Sequence, residues 1–278
     1  MILILLGACA DVLLPVFYAL TTLAYGVAFF RDDELAKRWQ SRLLLTTALL
    51  HFLAIGLHTA RYGHCMVTTI YEMMSLVAFT VLATYTLIEF RTKVKGTGFF
   101  LVALAALFEF VSAVTVQLPV SAPTNPVLSN LGIGLHVSAA VFGFGAIAIS
   151  AVYGMLYLFL HRALKKGDFG SFFKHLPSLE SLERLSAVAM ALGFVFLTVA
   201  IFIGAVWLPR VFSQFSYVDP KLVATAAVWV LYACVLVAKY ALRLDGKRVV
   251  TLSLAGFVLS LLSFTVVNAF FSTFHRFF

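Results

Sequence analysis

The chain has 278 residues, 62% of them hydrophobic and 12% charged, with a formal net charge of +8 and a mean hydropathy of +1.02. Repeated apolar runs of about 20 residues exclude a soluble globular enzyme and place the chain in a lipid bilayer. The Lys and Arg residues are spread over short connections and do not gather on one face, so nothing points to nucleic acid.

At the N-terminus, Leu6-Gly7-Ala8-Cys9 resembles a lipoprotein cleavage box. No Lys or Arg precedes it and the apolar run before it is shorter than the roughly 7–15 residues of a signal core, so it is read as chance. Eight spans follow, at roughly 8–30, 43–60, 67–90, 99–117, 131–160, 187–208, 221–240 and 249–271. Helices are expected because hydrocarbon offers backbone amides no partner, and the period-2 alternation of a barrel is absent. The fold class is therefore all-α, a single polytopic domain over 1–278. Between spans five and six, Leu164 to Ser186 carries the breakers Gly167, Gly170 and Pro177 and reads as a polar connection with a short interfacial helix.

Orientation comes from the basic residues. The connections after spans one, three, five and seven hold 16 of the 20 Lys and Arg, leaving Arg61, Arg210, Lys221 and Arg276 on the other side. The positive-inside rule then puts both termini outside. The cysteines Cys9, Cys65 and Cys234 form neither CxxC nor CxxCH. That removes a thiol relay and covalent haem attachment. Cys9 and Cys65 both fall near the outer face, where a disulfide is chemically possible.

Taken along these spans, the chemistry-bearing residues sort by depth. His51 lies halfway down span two, with His58 seven residues on, on the same helical face and about 10 Å along the axis. His58, Arg61 and His64 mark the outer end of that span. Glu72 lies near the outer end of span three and Glu109 mid-depth in span four. His51 is a possible partner for Glu109. Ionisable groups at such depth mark a functional site or a hydrogen bond between packed helices, and both readings stand. His136 opens span five on the outer side, Asp219-Pro220-Lys221 opens span seven, and His275 follows span eight. Interfacial histidines serve as amphipathic boundary residues, but four on one side also suit a metal or haem site. No HExxH or zinc-finger spacing occurs, which favours haem ligation from separate helices. Arg61 would offer a cation to a carboxylate such as a haem propionate.

Several stretches together resemble the CcsA/CcmC/HemX superfamily of cytochrome c assembly proteins. They are Leu135-His136-Val137-Ser138, Leu176-Pro177-Ser178-Leu179-Glu180-Ser181-Leu182-Glu183-Arg184-Leu185, Ala191-Leu192-Gly193-Phe194, Gly204-Ala205-Val206-Trp207 and Asp219-Pro220-Lys221. Trp229 with Tyr232, Gly246-Lys247-Arg248, Val267-Asn268 and Phe274-His275 continue the order. The core of the resemblance spans 131–278, and Tyr71-Glu72 looks like a fainter upstream piece. It implies that His136 and His275 supply axial ligands to non-covalent haem b at the outer face, with the Pro209–Pro220 loop, Asp219 included, against the haem edge. It further implies a bacterial inner (cytoplasmic) membrane location, a CcsB/ResB-like membrane partner, apocytochrome c as recipient, and a possible place in a haem-attachment system.

Departures from the pattern are equally specific. Ser216, Val218 and Ala224 stand where synthase-type members carry tryptophans, and Val237 stands where they carry a histidine within span seven. The degenerate motif is closer to the HemX-like branch. The expected function is haem handling in cytochrome c biogenesis. The alternatives are a HemX-like regulator of haem biosynthesis and a small-molecule or ion transporter using Glu72, Glu109 and His51.

Overall fold

Helix is the only regular structure among the described residues, as the missing hydrogen-bond partners of a hydrocarbon interior require. The computed structural model describes residues 2–67, 69–115, 130–167, 173, 175–212, 215–244 and 246–263; the side chains of 2–11, 70, 114 and 115 fall outside that description. The helices are α1 (Ile2–Arg31), α2 (Glu34–Tyr62), α3 (Ile70–Thr92), α4 (Gly98–Thr115), α5 (Leu131–Lys166), α6 (Leu179–Val211), α7 (Pro220–Tyr240) and α8 (Lys247–Leu262). Six of them, α1, α2, α3, α5, α6 and α7, are long and apolar enough to cross a bilayer, and α4 offers the shorter apolar stretch Gly98–Ala113. The protein is an all-helical, multi-pass membrane protein.

Helix ends depart from the expected spans where capping outweighs hydropathy. α2 begins at Glu34, well before residue 43, because the Asp33 carboxylate accepts from Ala36 N at 2.8 Å and satisfies a first-turn amide. Just before it, Asp32 adopts a left-handed φ of 56°. Its carboxylate is hydrogen-bonded by Lys37, which holds its pKa below the usual range. The connection expected at 164–186 is shorter than predicted. α5 runs on to Lys166, and Ser178 caps α6 by accepting from Ser181 N at 3.2 Å. The Leu179–Leu185 stretch is the first two turns of a 33-residue helix, while Phe173 is helical and the rest of 168–174, where a short interfacial helix would fall, lies outside the described residues. Likewise α6 carries through Pro209 to Val211, and Pro220 occupies the first turn of α7, so the loop expected over Pro209–Pro220 is shorter at both ends.

The chain forms two compact units, residues 1–134 with 174–176, and residues 135–173 with 177–278. In the first, α1 packs on α2 and α4, and α3 packs on α4 and α2. Its interior holds Tyr18, Tyr25, Leu44, Leu82, Tyr85 and Leu101, all essentially inaccessible. In the second, α6, α7 and α8 pack together around Met190, Leu197, Val228, Tyr232, Val235 and Val249, with Ile147 of α5 in the same cluster. Because lipid gives no hydrophobic drive between helices, close backbone approach and polar contacts hold them. A Cβ at Gly193 would stand 3.0 Å from Gly143 O and 3.2 Å from Ile147 N, so α5 and α6 meet nearly backbone to backbone. Next to that crossing, Ser150 Oγ lies 2.9 Å from Ser186 Oγ and 2.9 Å from Ser253 Oγ, tying α5 to α6 and α8.

Candidate functional site

His136 sits in the second turn of α5, and α6 decides its tautomer. Its Nδ1 lies 2.8 Å from Ala200 O. A carbonyl only accepts, so Nδ1 carries the proton and Nε2 keeps the lone pair. A carbonyl on the far nitrogen is the support that a metal-ligating imidazole ordinarily has. The ring reaches α6 because residue 204 lacks a side chain: a Cβ there would stand 2.8 Å from His136 Nδ1 and Cε1. The glycine of Gly204-Ala205-Val206-Trp207 is therefore the seat of the histidine of Leu135-His136-Val137-Ser138. His275 lies outside the described residues.

Asp219 is buried at the N-cap of α7, where its Oδ1 accepts from Lys221 N at 2.9 Å. Lys221 reaches across to α8 and donates to Ser263 O at 2.9 Å. The Asp-Pro-Lys triplet thus starts one helix and clasps the end of the next. The other stretches that carry the resemblance also resolve into contacts. Trp229 stacks on Phe194 at 5.2 Å between centroids and donates to Thr198 Oγ1 at 2.8 Å. Tyr232 donates to Ser253 O at 3.1 Å. Lys239 pairs with the buried carboxylate of Glu183.

The first unit gathers the remaining candidates into two groups. His58 Nε2 lies 3.2 Å from Glu72 Oε1, and the His58 and His64 rings are 5.6 Å apart in an edge arrangement. One ligand atom from each of His58, His64 and Glu72 falls within 4.8 Å of the other two. Glu72 is fixed there by the start of α3, whose N-cap Thr69 accepts from Glu72 N at 3.1 Å. Arg61 points elsewhere, its guanidinium 4.8 Å from the centre of the Tyr62 ring. Cys65 is a free thiol whose pKa burial pushes up. The side chain of Cys9, its expected neighbour, lies outside the described residues.

Deeper in the same unit, His51 and Glu109 are brought together through an intermediary. Ser75 donates to Glu109 Oε2 at 2.9 Å and stands 3.1 Å from His51 Nε2, while Tyr18 OH stands 2.9 Å from His51 Nδ1. With the Ser75 proton directed to Glu109, His51 Nε2 donates to Ser75 and Nδ1 accepts from Tyr18. Four helices are joined by this chain of polar contacts. Another buried carboxylate was missed in the sequence. Glu89 accepts from Tyr25 at 2.5 Å, from Tyr85 at 2.7 Å and from Ser41 at 2.6 Å. The Tyr85 to Glu89 spacing of one helical turn was its available signal.

The molecule is thus a polytopic helical protein with a carbonyl-supported imidazole seated on a glycine and polar clusters between its spans. Residues 67–275 match the family described as Cytochrome C assembly protein, and the chain belongs to that family. The match is wider than the 131–278 core legible in the motifs and takes in Tyr71-Glu72. Cytochrome c biogenesis protein CcsA of Trieres chinensis is 23% identical, over 90% of each chain. Protein HemX of Brevibacillus brevis is 23% identical over 93% of this chain and 94% of its own. The CcsA protein of Guillardia theta is 28% identical over 77% of both.

Proposed function

We propose that this protein handles haem in cytochrome c biogenesis. In this reading it is a bacterial inner-membrane protein that holds haem b at the outer face between His136 and His275, for delivery to apocytochrome c, alone or with a CcsB/ResB-like partner. The carrying observation is the state of His136: its Nδ1 proton is committed to Ala200 O, so Nε2 is presented as a ligand. The donor chemistry fits, since haem iron takes imidazole nitrogen as its commonest axial ligand. Haem would supply the bound cargo, and the chain would supply orientation. Gly204 sets where the imidazole stands, and Ala200 O fixes its tautomer and raises its basicity. Asp219 and Lys221 support the site indirectly by fixing the α7 and α8 ends.

A visible spectrum of the protein purified in mild detergent from haem-replete cells tests this. The expected result is a Soret band that is lost in the His136→Ala, His275→Ala double variant at equal protein yield and recovered on adding imidazole. Gly204→Ala should shift or weaken the band, because the added methyl displaces the ring. A colourless wild-type protein overturns the reading.

That outcome would favour a HemX-like regulator of haem biosynthesis. One observation speaks for this second reading: Ser216 and Val218 in the loop before α7, and Ala224 on α7 itself, stand where synthase-type members carry tryptophans, leaving Phe215 and Tyr217 as aromatic residues of that loop.

A further inference from the structure

We propose that His58, His64 and Glu72 form a binding site for a first-row divalent transition-metal ion, bridging the end of α2 and the start of α3. The site shares no residue with the His136 haem reading and stands or falls apart from it.

The geometry is that of a ligand set. The 3.2 Å between His58 Nε2 and Glu72 Oε1 matches the ligand-to-ligand edge of roughly 3.0–3.4 Å that follows from metal–ligand bonds of about 2.0–2.1 Å. The ligand atom of His64 closes the triangle within 4.8 Å. Both flanking elements are fixed. α2 ends at Tyr62 with Gly63 at φ 75°, donating to Thr59 O at 2.9 Å, a left-handed stop that turns the chain back so that His64 faces His58. α3 begins at its Thr69 cap with Glu72 in its first turn.

The His64 tautomer is set for metal binding. His64 Nδ1 lies 3.0 Å from Cys65 O, so that nitrogen holds the proton and Nε2 is left to coordinate. His58 Nδ1 is buried without a partner among the described atoms, so the polar capacity of the ring is spent on the Glu72 side. The Tyr62 ring packs on His58 at 4.6 Å between centroids and walls one side of the cluster. Arg61, the nearest cation in sequence, lies over Tyr62.

The donor set selects the ion. Mg²⁺ and Ca²⁺ seek six or more oxygens, whereas two imidazoles and one carboxylate suit Zn²⁺, Fe²⁺, Co²⁺ and their neighbours. Three protein ligands leave at least one position for water or an incoming ligand.

The full chain, purified in detergent with a tag free of histidine and stripped with chelator, is titrated with Co²⁺ and then with competing Zn²⁺. One equivalent of Co²⁺ per chain, with d–d absorption displaced by Zn²⁺, is expected. His64→Ala and Glu72→Gln should each lower affinity by at least about tenfold to a hundredfold, the loss known for mere supporting residues of metal sites. His136→Ala should bind Co²⁺ as the wild type does. Substoichiometric uptake by the wild-type protein overturns the proposal whatever the variants do. So does uptake that survives in the triple variant His58→Ala, His64→Ala, Glu72→Gln, or uptake lost in His136→Ala.

Discussion

Asp219 shows what one residue can do at a helix start and how to separate that from ligand chemistry. Its carboxylate is 3% exposed and accepts from Lys221 N, one of the orphan amides of α7. Asn keeps an acceptor oxygen at that point, whereas Ala removes it. Asp219→Asn is therefore expected to leave protein level and absorption spectrum near those of the wild type. Asp219→Ala should lower stability by about 1 kcal/mol, read as reduced protein level and a lower detergent unfolding midpoint. An altered spectrum in Asp219→Asn at normal level would show that the charge acts on a ligand histidine. At this scale the sequence was informative wherever chemistry is local: the Asp-Pro pair announces a cap because Pro at N1 needs no amide partner. It was silent on Ser75, which stands between His51 and Glu109, because a serine in an apolar span has no pattern until α2, α3 and α4 are packed.

Between elements, the second unit is held by a few contacts that can be broken singly. Glu183 on α6 and Lys239 on α7 pair with side-chain exposures of 10% and 17%. Removing one partner strands a charge in a region of low dielectric, while removing both leaves nothing to desolvate. Lys239→Met is expected to destabilise the protein by about 3 kcal/mol, the low end of the range for buried pairs since both groups keep some solvent contact. Glu183→Gln combined with Lys239→Met should recover most of that loss in the same unfolding measurement. A double variant no better than Lys239→Met alone would mean that the pair is set by packing and not by charge. The helices themselves were legible from hydropathy, because the bilayer constrains each segment separately. Their ends were not. Ser178 and Asp33 extend α6 and α2 through polar residues that a hydrophobicity pattern leaves out. The glycine crossings were visible only as motif letters, since nothing in a sequence says which backbone Gly193 will meet.

For the whole molecule, the distribution of charge bears on which helix ends face which side of the membrane. Sixteen of the 20 Lys and Arg lie in or near the α1–α2, α3–α4, α5–α6 and α7–α8 junctions, most of them on the adjoining helix ends. Each such residue near a span end favours the cytoplasmic side, and several in every alternate connection act in concert. Eight crossings with both termini outside would satisfy that bias, and such a topology would carry His58, His64 and His136 to the outer side. Reporter fusions made after Lys95, Lys166 and Lys247 are expected to report cytoplasm, and fusions after Pro126 and Phe278 the outside. The fusion after Phe278 is the decisive one. The α7–α8 junction carries Lys239 at the end of α7, Arg243 between the helices and Lys247 and Arg248 at the start of α8, so if α8 crosses, the C-terminus with His275 emerges opposite those charges. A cytoplasmic reading there, with the other four as expected, would leave α8 short of a crossing and put His275 on the wrong side of the membrane for His136. The haem proposal would then fail on topology alone, while the His58, His64 and Glu72 cluster would keep its place outside.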